Sequence, residues 1–333
     1  MIRVALNGFG RIGRTFLRAW CITPAAQKFI QLTAINVGPA STKDLVYAVR
    51  YDSIMGTLNL DVQFADGMLT IGDHKIVVLT QPDPDKLAWR ELGIDWVVDA
   101  SGRFTHRADA QKHLDAGAHN VLITAPATDE DCTVIPGVND ASYSAKHHIV
   151  SLGSCTTNAV IPVLAVIKSL VAIEQVSLTT IHAYTNTQVL LDVEAKSTRL
   201  SRAAALNIIP SSTGATRVVG KVMPELAEKI IGNSVRVPVA KVSLIDLVVT
   251  VQKNLSVADL NGAFERAQLG TLKNILSITY EPLVSGDFAG NAHSVIIDGL
   301  LTQVQGRCAK IFGWYDNEWG YSVRLIDFLT KVK

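Results

Sequence analysis

Residues 2–20 read IRVALNGFGRIGRTFLRAW, and the fold is decided here. Residues 2–7 predict a short buried strand and 11–20 predict a helix, with a glycine-rich turn between them. Gly8, Gly10 and Gly13 stand in the G-x-G-x-x-G spacing, in the order strand, turn, helix that a dinucleotide cradle requires. Gly8 permits the tight turn, Gly10 the close approach of a pyrophosphate, and Gly13 the packing of helix on strand. The helix N-terminus then stabilises the anion. Asn7, Gly8, Phe9, Gly10, Arg11, Ile12 and Gly13 are therefore candidate cofactor-binding residues.

Working outward, further brief apolar runs at 32–37, 96–100, 121–125 and 149–152 predict fully buried strands of a parallel sheet. An amphipathic helix is predicted over 107–116, ended by Gly117. Strand–helix alternation of this kind predicts an α/β fold with a Rossmann-type, doubly wound parallel sheet. Past residue 151 the pattern changes. Long strands are predicted at 177–184, 243–252, 275–285, 294–304 and 309–314, with helices at 158–170 and 258–268. This predicts a second, α+β catalytic domain with a mixed or antiparallel sheet. The expected division is 1–151 for dinucleotide binding and 152–317 for catalysis, with a C-terminal helix over 318–333 returning to the first domain.

Composition bounds the partners. The chain has 333 residues, 48% hydrophobic and 18% charged, with a formal net charge of +1. That balance describes a globular protein and asks for neither nucleic acid nor an anionic membrane. The N-terminal apolar run is broken by glycines and arginines, unlike a signal peptide, and no segment approaches the length that spans a bilayer. Cys21, Cys132, Cys155 and Cys308 are far apart and lack CxxC spacing. Reduced thiols and a cytoplasmic location are expected, with no metal site.

The second strand of a dinucleotide-binding unit should end in a carboxylate that bonds the adenosine ribose and repels a 2′-phosphate. Residues 36–43 read Asn-Val-Gly-Pro-Ala-Ser-Thr-Lys, with no carboxylate before Asp44. Two readings stay open: Asn36 and backbone groups serve NAD, or Ser41, Thr42 or Lys43 receive the extra phosphate of NADP. A second constellation, Ser-Leu-Gly-Ser-Cys-Thr-Thr-Asn at 151–158, runs from a buried strand into a helix. Cys155 is thereby placed near a helix N-terminus, where the dipole lowers a thiol pKa. His182, at the end of another predicted strand, could pair with that thiol as imidazolium with thiolate and shuttle a proton.

NGFGRIGR, SGRFTHR, SCTTN, HAYTN, IIPSSTGA, VRVP and WYDNEWGYS occur in this order from residue 7 to 322. In this the chain resembles the glyceraldehyde-3-phosphate dehydrogenases, with erythrose-4-phosphate dehydrogenases as close relatives. The resemblance implies phosphorylating oxidation of a sugar-phosphate aldehyde through a thioester on Cys155, with His182 as the base. It implies NAD as cofactor, NADP remaining possible, with inorganic phosphate as second substrate in a glycolytic homotetramer. Ser101, Gly102, Thr124 and the carboxamide-binding Asn317 join the expected cofactor residues. Thr185 and Arg236 are implied to hold the substrate phosphate. Ser154, Thr156, Thr213 and Gly214 are implied to hold the attacking phosphate.

The sequence also departs from the family pattern. Leu200 stands where an arginine contacts phosphate, between Arg199 and Arg202. Thr187 replaces an aspartate, and Pro82 takes the place of an arginine near the adenine.

Overall fold

The computed structural model describes residues 1–195 and 197–332. The chain forms two compact units: Met1–Val134 with Ala141–Gly153 and Ser322–Lys333, and Ile135–Asp140 with Ser154–Tyr321.

The first unit is built on a nine-stranded sheet. In spatial order its strands are Cys132–Thr133, Ile149–Ser151, Asn120–Ile123, Trp96–Asp99, Ile2–Asn7, Ile30–Asn36, His74–Leu79, Met68–Ile71 and Val62–Ala65. The first seven run parallel, and the last two add antiparallel pairs. Val4, Ala5, Leu6, Val97, Val98, Val121 and Leu122 are wholly buried, as parallel strands covered on both faces must be. Chain order reverses on either side of Ile2–Asn7, the switch point at which such sheets take ligands. The antiparallel edge is closed by Asp66 and Gly67, both with positive φ (49° and 75°), a two-residue Asp-Gly hairpin turn.

The second unit carries an eight-stranded mixed sheet. Ile173–Ala183 is an interior strand, parallel to Ile230–Val237 and antiparallel to Ser243–Val251. Cys308–Tyr315 pairs with Ser243–Val251 on one side and Val295–Asp298 on the other. The helix Cys155–Leu170 packs on this sheet, its Val160, Ile161, Val163, Leu164 and Ile167 wholly buried among Leu247, Val249, Ile297 and Ile311. Its apolar residues surround the axis, as a buried helix requires.

Some bounds differ from expectation. The run 275–285 forms a strand only over Leu276–Thr279, because Pro282 and Gly286 turn the chain. The run 294–304 splits into Val295–Asp298 and Gln303–Gln305. Residues 135–140, expected in the first domain, belong to the second unit. Ile135 joins that unit's core, and Gly137 lies against Ile275 and Leu272. Among the described residues no helix is long and apolar enough to cross a membrane.

Candidate active site

The cradle is built at the carboxyl ends of the parallel strands. Gly8 has φ +95°, and a Cβ there would lie 2.6 Å from the Ser101 backbone. A Cβ on Gly13 would lie 2.2 Å from the Gly8 carbonyl oxygen, so the helix rests directly on the turn. A Cβ on Gly10 would meet nothing within 4 Å. Gly10 is also the N-cap of the helix Arg11–Cys21, and no side chain caps it, so the positive end of the helix dipole lies at the turn. The residues thus fit a dinucleotide pyrophosphate: two glycines are required by packing, and the third leaves open space.

Around this turn the polar side chains are bonded mostly to one another. Asn7 Nδ2 donates to Asp99 Oδ2 (2.8 Å), and Asn36 Nδ2 donates to Asn7 Oδ1 (2.7 Å) and to the Gln81 carbonyl (2.8 Å). Asn36 Oδ1 accepts from the N–H groups of Gln81 and Gly38. Asn36 is therefore saturated by the protein and acts by holding the loop after its strand. Asp99 Oδ1 receives Ser101 N–H and Oγ–H (3.1 and 2.7 Å), which fixes Ser101 and Gly102. Thr124 N–H donates to the Asp99 carbonyl, and Arg14 lies over the Phe9 ring with its centre 5.5 Å away. Arg11 is paired with Asp52; although burial alone would raise that carboxyl, Arg11 and the N–H groups of Met55 and Ile54 bring it down to about 2. Ile12 is half-buried beside it.

The reacting groups lie in the second unit. Cys155 is the first residue of its helix, and Ser154 is the N-cap. Ser154 Oγ accepts from Thr157 N–H (3.2 Å) while Thr157 Oγ1 accepts from Ser154 N–H (2.7 Å), a reciprocal cap that fixes the start of the helix. His182 is the last residue but one of the strand Ile173–Ala183, and the parallel register pairs it with Arg236. Both side chains therefore leave the sheet on the same face. His182 Nε2 is 3.6 Å from Cys155 Sγ, and its Nδ1 is 2.6 Å from Arg236 Nη1 and 2.7 Å from the Ala183 carbonyl.

Burial shifts both groups. It pushes the Cys155 thiol up despite the Arg236 charge, the Thr156 hydroxyl and nearby backbone N–H groups. Burial, and then the Arg236 charge, lower His182 to about 4. Both shifts oppose the thiolate–imidazolium pair that the sequence suggests, the thiol upward and the imidazole downward. The helix dipole acts in the expected sense, but desolvation is larger.

Other expected residues are placed as follows. Thr156 Oγ1 lies 3.0 Å from Tyr315 OH, which is also 2.8 Å from Thr180 Oγ1. Asn317 is buried, and its Oδ1 accepts from Ser243 Oγ (3.1 Å), which in turn accepts from Ala183 N–H. Thr185 Oγ1 is 3.0 Å from Thr187 Oγ1. Thr213 Oγ1 accepts from Ala215 N–H, with Gly214 the N-cap of the helix Ala215–Val222. Arg202 is paired with Asp192 (2.6 Å). Tyr315, Thr180 and Ser243 were not foreseen. Among the described residues no cluster of His, Cys, Asp and Glu could hold a metal ion.

Residues 2–107 match the family model "Glyceraldehyde 3-phosphate dehydrogenase, NAD binding domain", and residues 154–317 match the corresponding C-terminal domain. The glyceraldehyde-3-phosphate dehydrogenase 1 of Bacillus cereus is 44% identical over 100% of this chain and 98% of its own length. The Geobacillus stearothermophilus enzyme is 44% identical over 99% of this chain and 98% of its own. The Mycolicibacterium smegmatis enzyme reaches 45% over the same shares. With likeness across both units and a cysteine–histidine pair in the second, the chain belongs to the glyceraldehyde-3-phosphate dehydrogenase family.

Proposed function

We propose that the protein oxidises D-glyceraldehyde 3-phosphate to 1,3-bisphosphoglycerate through a thioester on Cys155. The observation that carries this reading is the 3.6 Å approach of Cys155 Sγ to His182 Nε2 beside the Arg236 guanidinium. Sγ adds to the aldehyde carbon as its proton passes to Nε2, and the carbonyl π pair becomes an alkoxide that takes that proton. The Cys155 N–H and the imidazole stabilise the developing oxyanion. Bound NAD supplies the hydride acceptor. His182 removes the thiohemiacetal hydroxyl proton as the C–H bond breaks, which leaves the acyl group on sulfur. A phosphate oxygen then attacks the thioester, and the C–S bond breaks to return the thiol.

In this reading the Gly8–Gly13 turn holds the pyrophosphate, Ser101, Gly102 and Thr124 line the same strand ends, and Asn317 holds the nicotinamide carboxamide. Ser243 orients Asn317 by occupying its Oδ1, which leaves Nδ2 to donate. Arg236 and Thr185 take the substrate phosphate. Ser154, Thr156, Thr213 and Gly214 serve the attacking phosphate. A cytoplasmic placement is supported by the four free cysteines. Homotetramer formation is supported by exposed Leu190 (85%), Leu191 (74%), Leu206 (78%) and Ile208 (70%), an apolar stretch that a second copy would cover.

The test is steady-state turnover with triose and tetrose phosphate, NAD and NADP, with and without inorganic phosphate. Triose phosphate should be preferred and phosphate required for sustained turnover; preference for the tetrose would overturn the substrate assignment. NADP should be used measurably, because no carboxylate follows Asn36. Val37→Asp should raise the NAD-to-NADP ratio by about tenfold to a hundredfold, the worth of one charge-assisted hydrogen bond. Position 38 suits this less well, since its φ of +68° strains any side chain. Strong rejection of NADP by the unmodified protein would mean that another group discriminates.

Leu200 gives a further expected result. Arg202 is held by Asp192, and leucine donates nothing to an anion. Phosphate should therefore saturate poorly, and Leu200→Arg should lower its KM by about tenfold or more with little change in the KM for aldehyde. A phosphate titration of both proteins decides this. Tight saturation already present and unaltered by the substitution would make Leu200 incidental.

A further inference from the structure

Asn7, Asn36 and Asp99 end three neighbouring parallel strands, and the register sets Asn7 beside Asn36 on one side and beside Asp99 on the other. A fourth polar side chain reaches them from the helix Arg107–Asp115: His113, which is wholly buried. Its Nε2 lies 3.1 Å from Asp99 Oδ2, and its Nδ1 lies 3.0 Å from Nε1 of Trp89, also wholly buried. An indole N–H can only donate, so Nδ1 keeps its lone pair and the ring proton sits on Nε2, aimed at the Asp99 carboxylate. The other tautomer would set two N–H groups face to face at 3.0 Å and two lone pairs face to face at 3.1 Å. Asn7 Nδ2 stands 3.4 Å from Nε2 but gives its proton to Asp99 Oδ2, at 2.8 Å.

We propose that His113 is a positioning residue for NAD: its Nε2–H anchors Asp99, and Asp99 sets the polar side chains on both flanks of the cradle. Asp99 Oδ2 accepts from His113 and Asn7, while Oδ1 accepts from Ser101 N–H and Oγ–H. Asn7, with Nδ2 turned to Asp99, presents Oδ1 to Asn36 Nδ2 at 2.7 Å. Asn36 in turn presents Oδ1 to the N–H groups of Gln81 and Gly38. Gly8 sits between the two ends of this network. Its N–H donates to the Asn36 carbonyl (2.9 Å), and a Cβ on it would touch the Ser101 backbone at 2.6 Å. One buried ring thus fixes the chain after two strands, at Ser101 on one flank of the turn and at Gly38 on the other. Without the ring, Asp99 Oδ2 keeps one partner of two, and the carboxylate is freed to turn, taking Ser101 and Asn7 with it. A buried polar network rigidifies its surroundings only when every member is satisfied. The inference rests on the reading of the glycine turn as the NAD cradle.

The experiment is calorimetric titration of the full-length, cofactor-free protein with NAD, beside urea unfolding of the same samples. His113→Leu fills the space without a donor and should weaken NAD by about tenfold, the effect of one hydrogen bond to a charged group. His113→Gln keeps a side-chain N–H within reach of Asp99 and should restore most of that affinity. Trp89→Phe removes only the indole N–H that sets the tautomer, and should weaken NAD by about threefold, less than His113→Leu does. It also carries the test if His113→Leu does not fold. In steady state the KM for NAD should rise by similar factors and the KM for the aldehyde should not follow, because Cys155 and His182 belong to the other unit. Lost stability with unaltered NAD affinity would make His113 a packing residue and overturn the proposal, as would equal losses in the leucine and glutamine variants. Gly10→Ala is the control for the cradle. Undiminished NAD binding there would remove the cradle reading and this inference with it, whereas weakened binding there and none in the His113 and Trp89 variants would remove the positioning role alone.

Discussion

Cys155→Ser should lose aldehyde oxidation by at least about three orders of magnitude while binding NAD as before. The substitution keeps size and the capped helix start, since Ser154 and Thr157 make the cap without the residue 155 side chain. What changes is the acid. A serine hydroxyl is far less acidic than a thiol, and His182, held near 4, is a weak base for it. Oxygen is also the poorer leaving group when phosphate displaces the acyl chain. Mixing with triose phosphate and NAD in phosphate-free buffer should give about one equivalent of NADH per site in the unmodified protein, and none on that timescale in the variant. NAD titration in both should superimpose, because the cradle glycines belong to the other unit. A serine-variant burst equal to that of the unmodified protein would remove Cys155 from the mechanism.

Much of this site was legible in the chain because its members lie next to local signals. The glycine spacing predicted the cradle, and SCTTN put a thiol at the start of a helix. The partners that tune those groups were not legible. Ser243 reaches Asn317 across 74 residues, and Tyr315 reaches Thr156 across 159. Both contacts exist because Ser243 and Tyr315 face each other in strand register, which no local pattern announces. Arg236 beside His182 is likewise a product of parallel pairing, and its strand Ile230–Val237 escaped notice because Gly232 and Asn233 weaken the β pattern. Gly232 is there for a close approach: a Cβ would lie 3.0 Å from the Leu178 carbonyl. The shifts of Cys155 and His182 were hidden for a related reason. Sequence reveals the helix dipole but not the depth of burial, and burial dominates at this site.

The three cradle glycines should fail in different ways, and Gly13→Ala should be the most damaging to the fold. Its Cβ would stand 2.2 Å from the Gly8 carbonyl oxygen and 3.4 Å from Leu6 Cδ2. A backbone oxygen in a turn fixed by φ +95° and by the Ser101 contact cannot give way as a side chain could. The helix must lift off the strand, at a cost of about 1–3 kcal/mol, the usual range for overpacking. Lifting it also moves the N–H groups that face the anion, so NAD affinity should fall with stability. Gly10→Ala separates these effects, because its Cβ enters open space in the free protein and intrudes only where a pyrophosphate would press on the backbone. Thermal or urea unfolding without cofactor should show Gly13→Ala destabilised and Gly10→Ala near the unmodified protein. Calorimetric titration with NAD should show both variants weakened. If Gly10→Ala binds NAD undiminished, the pyrophosphate does not cross that glycine, and the anion is held elsewhere along the helix start.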